Sequence, residues 1–589
     1  MNSVSVKCKG LFRITLHVIV CAALFLLTGA CALVGMEAIW RGSFSLAVMW
    51  AARQALLFAC LTVVVAAAQM ILYLLSGRML FSVWIMQAVA ALCGAVQHYK
   101  VALRGEDFVI GDVMLASEAL GILEKYSIDV PWHVWMPCAI MLLFPLFMWG
   151  IRLRRHYVMR AAGILLAVAA AFSVLDDIKS ITFAWTQQIS TYYNYNGLLA
   201  GLVWSRPQAP QKPEEYNRKN VLALLENHHE ETEPAVLPDI VFIMSESLYD
   251  ITRIDGLQLS EDPLAYTKRM QQEHWGGQVY TMNYGGGTSH TEYEVLTGYR
   301  AKPTEITAYM DRSLVFEGMD SIPAMLKEYG YHTIAMHPST GKTYNRNHAY
   351  ARLGFDEQVF VESMASVDDY VGTFPSDKYL FEEIIRRYES RPADQPWFSY
   401  IVTFQNHGEY DYEYTANGIE ATDANGAQLP LARTFANAIK SSDIAHEMLL
   451  EYFANQERPV VVVIFGDHAP LFALLGCQSK AGLEGEFQIH TTPVLVYSNY
   501  GFTMPEDTPE TMMAYRLGPS VMHALGFGSD SYYNYLADPQ TVNIPITEGL
   551  IVMDSEVRED PALYQRIEAD MDILHYDRIR GEQYGKEVE

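Results

Sequence analysis

The stretch RPVVVVIFGDHAP, Arg458 to Pro470, sets six apolar residues in a row directly before a Gly-Asp-His-Ala-Pro turn. An apolar run of that length with no polar alternation describes a strand buried on both faces, as in the parallel sheets of α/β proteins. Such a strand ending in Asp467 and His468 presents a hard oxygen and a neutral nitrogen at one point, a pairing suited to a divalent cation.

Outward from this strand the same pattern repeats. From about residue 238 short apolar runs alternate with helical segments, which predicts an α/β domain with a largely parallel sheet. PDIVFIMSES ends at Ser245, Glu246 and Ser247; YHTIAMHPST carries His337; WFSYIVTFQNHGEY carries His407. Ligand sites in open α/β sheets form beyond the carboxyl ends of strands, so these groups are expected to converge despite their separation in sequence.

A second motif supplies a hydroxyl. In MNYGGGTSHTEYEVLTG, Met282 to Gly298, three glycines precede Thr288, and glycine is kept where backbone must turn sharply or approach something closely. Together Glu246, Thr288, Asp467 and His468 make an oxygen-rich set with one nitrogen, compatible with manganese, magnesium or zinc. A cation beside Thr288 would lower the cost of its alkoxide and make a weak nucleophile usable. Ser289 and Glu292 have the spacing of a capping box, and the positive end of the helix they open would favour a phosphoryl group.

The rest of the chain places this domain. Half of the 589 residues are hydrophobic and 19% are charged, and the long uncharged runs are concentrated before about residue 175. Five of them, residues 14–35, 55–75, 79–97, 134–151 and 158–175, have lengths at or near those of membrane-crossing helices. Lys7, Lys9 and Arg13 before the first run, and Arg152, Arg154, Arg155 and Arg160 between the fourth and fifth, predict that both places are cytoplasmic. Everything after about residue 176 is then extracytoplasmic, and Lys100 and Arg104 fall on the outer side, against the usual bias.

The segment 177–237 reads as membrane-surface helices, with aromatic STYYNYNGLLAGLVW, followed by the Pro-rich linker SRPQAPQKPEEYNRKN. The domain plan is therefore a membrane part over 1–176, a connecting part over 177–237 and an exported catalytic domain over 238–589. Of seven cysteines only Cys477 lies in the exported part, so that domain closes no internal disulfide. The net charge of -26 argues against a nucleic-acid partner.

With these motifs in place, the chain resembles the lipoteichoic acid synthase and phosphoglycerol transferase family, of the alkaline phosphatase and sulfatase superfamily. PDIVFIMSES, GGGTSHTEYEVLTG, HPSTGKTYNRNHAYARLGFD, TFQNHGEY and VIFGDHAP carry the resemblance, in the family's order, after five apolar runs and HYKVALRGEDFVIGDVML. It implies one divalent metal, usually manganese, held by Glu246, Thr288, Asp467 and His468, with Thr288 as nucleophile. It also implies substrate binding by Arg346 and His407, with Asn345 and His337 beside those motifs. The expected reaction moves glycerol phosphate from phosphatidylglycerol to a glycolipid or glycan acceptor through a phospho-threonine intermediate.

The alternatives within the superfamily are phosphoethanolamine transfer and metal-dependent phosphodiester or phosphate hydrolysis. Lipoteichoic acid synthases proper carry Lys before the nucleophile and Trp before the Asn-Arg pair, where this chain has Gly287 and Tyr344. Phosphoethanolamine transferases generally have several disulfides in the exported domain, and sulfatases need a C/S-x-P-x-R context, neither of which is found here.

Overall fold

The structure, a computed structural model, describes residues 2–104, 108–109, 131–148, 163–164, 167–169, 189–204, 212–229, 232–301, 314–408, 410–471, 487–541, 544–547, 550–553 and 556–587. The chain divides into two compact units, Met1–Arg206 and Pro207–Glu589.

In the first unit, Val20–Trp40, Ala55–Ser76 and Met79–Ala102 are long and apolar enough to cross a membrane. They match the first three expected spans. The fourth run appears as a helix over Trp132–Leu143 that tightens to a 3-10 turn over Phe144–Met148, with Pro137 and Pro145 each removing a helical donor. At this length it is a short apolar helix, and the remainder of that run, 149–151, lies outside the described residues. So does the fifth expected span except for 163–164 and 167–169.

Polar contacts tie the three long spans together. Thr28 Oγ1 donates to Gln69 Oε1 at 2.7 Å, and Gln87 Nε2 donates to the Thr28 carbonyl at 2.9 Å. Glu37 is fully buried and accepts from Trp40 Nε1, Arg41 Nε and the Leu198 amide. A buried carboxylate in an apolar helix persists only when paired and hydrogen-bonded, and these three donors meet that demand. Through Leu198 it also fixes the short helices Ile189–Asn196 and Leu198–Trp204 to the membrane unit.

The second unit is built on an eight-stranded sheet. Its strands in chain order are β1 (Asp239–Ser245), β2 (Trp275–Tyr280), β3 (His332–His337), β4 (Glu357–Phe360), β5 (Trp397–Val402), β6 (Val460–Gly466), β7 (Thr491–Ser498) and β8 (Thr511–Met513). Their spatial order is β8-β2-β7-β6-β1-β5-β3-β4. All neighbouring pairs are parallel except those made by β7, which runs antiparallel to both β6 and β2. The quoted run Val460–Gly466 is a central strand, buried at every position. Val461, Val463 and Phe465 enter the core on one side, and Val460, Val462 and Ile464 the core on the other. That double burial is why the run shows no alternation.

The expected linker is partly structured. Asn217 caps a helix over Arg218–Leu225, whose Val221 and Leu225 join the core, and Tyr216 Oη donates to Asp577 Oδ1 at 2.6 Å. The second unit thus recruits residues upstream of 238 as a strap against its C-terminal helix Pro561–Ile579.

Candidate active site

The register between β1 and β6 pairs Ser245 with Gly466, so Glu246 and Asp467 are the first residues beyond two adjacent parallel strands. Glu246, Asp467 and His468 are buried and their ligand atoms lie within 4.8 Å of one another. His468 Nε2 is 3.2 Å from Asp467 Oδ2 and 3.7 Å from Glu246 Oε1.

His468 Nδ1 faces the Ala469 carbonyl at 3.0 Å, an anchor that orients the ring so that Nε2 is directed toward the two carboxylates. Asp467 Oδ1 accepts from the amides of Ser247 and His468 at 2.8 and 2.9 Å. Its Oδ2 is buried with no hydrogen-bond partner among the described residues. Burial, and then the charge of Asp467, hold the Glu246 pKa well above the usual carboxylate range. Two crowded buried carboxyl groups, one orphaned oxygen and one oriented imidazole fit a divalent cation.

Thr288 is buried and is the first residue of a helix over Thr288–Thr297. Gly285 and Gly287 adopt φ of 72° and 86°, a region costly for residues with a Cβ, so the turn onto this helix requires them. Two contacts bring the turn to the metal-ligand cluster. The Gly285 amide donates to the Ala469 carbonyl at 2.7 Å, and Thr291 Oγ1 donates to the Asp467 carbonyl at 2.7 Å. The helix N-terminus is thereby fixed beside Asp467.

The expected capping box does not form. Gly287 is the N-cap, Ser289 Oγ has no partner among the described residues, and Glu292 turns inward to other work. Glu292 accepts from Arg346 Nε at 2.9 and 3.2 Å and from Arg346 Nη2, and its Oε2 accepts from Tyr350 Oη at 2.6 Å. A buried arginine is a stronger claim on a carboxylate than an amide that solvent or a turn can satisfy. Burial works against the charge on Arg346, yet the Glu292 carboxylate more than offsets it and raises its pKa.

Arg346 opens the helix Arg346–Arg352 after a strained approach: Tyr344 and Asn345 both have left-handed backbone, with φ of 54° and 60°. His337, at the end of β3, faces the Val402 carbonyl through Nδ1 at 3.0 Å, and its Nε2 has no partner among the described residues. Burial, then the Arg346 charge, lower its pKa well below the usual range, and His407 adds to that effect. His337 thus senses the charges of both Arg346 and His407. Asn345 is half-buried on the turn before Arg346, with left-handed backbone.

Residues 238–527 match the protein-family model described as Sulfatase. This part of the chain is a sulfatase-family domain. Two Rhizobium meliloti (strain 1021) proteins are each 27% identical to the chain. One, named "Putative cyclic beta-1,2-glucan modification protein", aligns over 406 residues, 65% of this chain and 62% of that protein. The other, capsular polysaccharide biosynthesis protein RkpI, aligns over 237 residues, 40% of this chain and 41% of that protein. The chain spans less than two thirds of the length of either relative. Among solved structures, Streptococcus pyogenes phosphoglycerol transferase GacH in complex with sn-glycerol-1-phosphate shares the fold. It has a TM-score of 0.51 at 21% identity, covering 64% of this chain and 98% of that one.

Behind the carboxylate cluster the sulfatase domain holds a buried polar network that motif reading did not find. Thr403 Oγ1 accepts from the Glu246 amide at 2.9 Å, and Asn406 Nδ2 donates to the Glu246 carbonyl at 3.3 Å. Asn406 and Gln405 both donate to Ser442 Oγ, which donates to Asp377 Oδ2 at 2.6 Å. The available signal was the polar run TFQNHGEY, in which Thr403, Gln405 and Asn406 follow a fully buried strand.

Proposed function

We propose that the chain is a membrane-anchored, metal-dependent phosphoglycerol transferase that moves glycerol phosphate from phosphatidylglycerol to a cell-envelope glycan or glycolipid. The observation that supports it most is the joining of Thr288 to the Glu246–Asp467–His468 cluster through Gly285 and Thr291. A nucleophile at a helix N-terminus beside a cation site is what phosphoryl transfer asks of a protein. In this reading five spans anchor the chain, the catalytic domain is extracytoplasmic, and the donor reaches it from the outer leaflet. A glycan acceptor accords with the glucan and capsular polysaccharide named in the two relatives.

Glu246, Asp467, His468 and Thr288 would hold a divalent cation, manganese for preference and otherwise magnesium or zinc, which would supply positive charge to the reacting oxygens. In the first step Thr288, already deprotonated at Oγ1, attacks phosphorus, the Oγ1–P bond forms, and the bond from phosphorus to the diacylglycerol oxygen breaks. In the second step an acceptor hydroxyl forms its own bond to phosphorus, the Oγ1–P bond breaks, and Thr288 is returned to its alkoxide. Arg346, held rigid by Glu292, and His337 orient the phosphoglycerol. His407 hands a proton to the leaving oxygen and later takes one from the acceptor.

The test is mass spectrometry of the protein after incubation with phosphatidylglycerol. A glycerophosphoryl adduct on Thr288 is the expected result. Release of free glycerol phosphate with no labelled acceptor would replace transfer by hydrolysis, and preference for phosphatidylethanolamine would replace the donor.

A further inference from the structure

The two carboxylates of the cluster come from different strands, and one residue touches both. Ser247 donates from its backbone amide to Asp467 Oδ1 at 2.8 Å and from its hydroxyl to Glu246 Oε1 at 3.0 Å. It can do so because its backbone is left-handed, with φ of 51°, a conformation that few residues other than glycine adopt. Such strain persists where the surroundings over-determine it, and here the surroundings are visible. The Leu248 amide donates to the Ser245 carbonyl at 3.2 Å, closing the turn. A Cβ on Gly466 would lie 2.4 Å from the Leu248 carbonyl oxygen, so the turn folds down onto a strand end that only glycine leaves open.

The consequence is a division of lone pairs. Asp467 Oδ1 is saturated by two amides, which leaves Oδ2 facing the cluster, and the Ser247 hydroxyl restrains Glu246 Oε1 close to His468 Nε2. Groups that hydrogen-bond metal-binding carboxylates fix their orientation, and removing them typically weakens metal binding about 10- to 100-fold. From this geometry we infer that Ser247 is a positioning residue that latches the ends of β1 and β6 and sets the carboxylate pair for the cation. The inference rests on the metal-dependent reading of the same cluster.

The experiment uses the full-length protein in detergent, stripped of metal and titrated with MnCl2 by calorimetry, with melting temperature measured in the absence of metal. Ser247→Ala removes the hydroxyl. Ser247→Gly removes it as well while accepting the left-handed backbone without strain, so this variant folds even if the alanine variant does not. The expected result is a Mn2+ affinity lowered about 10-fold or more in both, with the metal-free melting temperature of Ser247→Gly at or above that of the wild type. A folded Ser247→Gly protein with wild-type affinity overturns the inference. A wild-type protein that binds no Mn2+, Mg2+ or Zn2+ overturns instead the metal-dependent reading beneath it.

Discussion

Glu292 and Arg346 form a buried ion pair across 54 residues of sequence, joining the helix that begins at Thr288 to the helix that begins at Arg346. Thr288, the proposed nucleophile, and Arg346, the proposed phosphoryl-binding group, are therefore held in one frame. Breaking a buried pair leaves an uncompensated charge and costs about 3–5 kcal/mol, whereas replacing both partners by apolar groups of similar size is often neutral. Glu292→Ala is expected to lower stability by about that amount in chemical denaturation. The double variant Glu292→Leu, Arg346→Met should recover most of it and still transfer no phosphoglycerol. Recovery of transfer along with stability would remove Arg346 from the chemistry.

Thr288 tests the nucleophile directly. The turn and helix are held by Gly285, Thr291 and Glu292, so a substitution at Thr288 leaves these anchors in place. Thr288→Ala should reduce transfer from labelled phosphatidylglycerol at least about a thousandfold with an unchanged circular dichroism melt. Thr288→Ser, which keeps a hydroxyl, should retain measurable transfer and a trappable adduct. Full activity in the alanine variant would end the covalent mechanism.

Much of the candidate site was legible because it sits where strand periodicity ends. A run such as Val460–Phe465 announces double burial, and the polar residues that follow must lie at the sheet's edge, so Glu246, His337 and Asp467 could be placed without coordinates. Partnerships that depend on tertiary packing were not legible. Ser289 and Glu292 satisfy a local capping rule, but Glu292 is taken by Arg346 from a distant segment. The left-handed backbone of Ser247 has no sequence signal, since nothing about serine requires it. The antiparallel direction of β7 has no signal in its composition, because TTPVLVYS reads like the parallel strands of the same sheet.

Asp377 gives a pH dependence with a defined sign. Burial pushes its pKa from the ordinary 3.8 up to about 6, against the Ser442 and Thr403 hydroxyls that favour the carboxylate. Between about pH 4 and pH 6 the folded state binds more protons than the unfolded state, so its contribution is fully present below pH 4 and lost as pH rises through 6. The change amounts to about 3 kcal/mol. Asp377→Asn, which stays neutral, should show a flatter stability profile over that window in urea titrations at stepped pH. Parallel profiles for variant and wild type would show that Asp377 titrates normally.

Removing the metal should destabilise the protein, and more at neutral than at acidic pH. A cation present at 100 times its dissociation constant stabilises the folded state by about 2.7 kcal/mol when the unfolded chain does not bind it. The raised pKa of Glu246 means that, without a cation, this group takes up a proton as pH falls, which relieves its repulsion with Asp467. A cation must then displace that proton, so its affinity falls with pH. The melting-temperature increase on adding Mn2+ to the EDTA-stripped protein should therefore be large at pH 7.5 and shrink by pH 5. Glu246→Gln should shrink it at both pH values, because the site has lost one of its charges. An increase that persists undiminished in that variant would place the cation away from Glu246, Asp467 and His468.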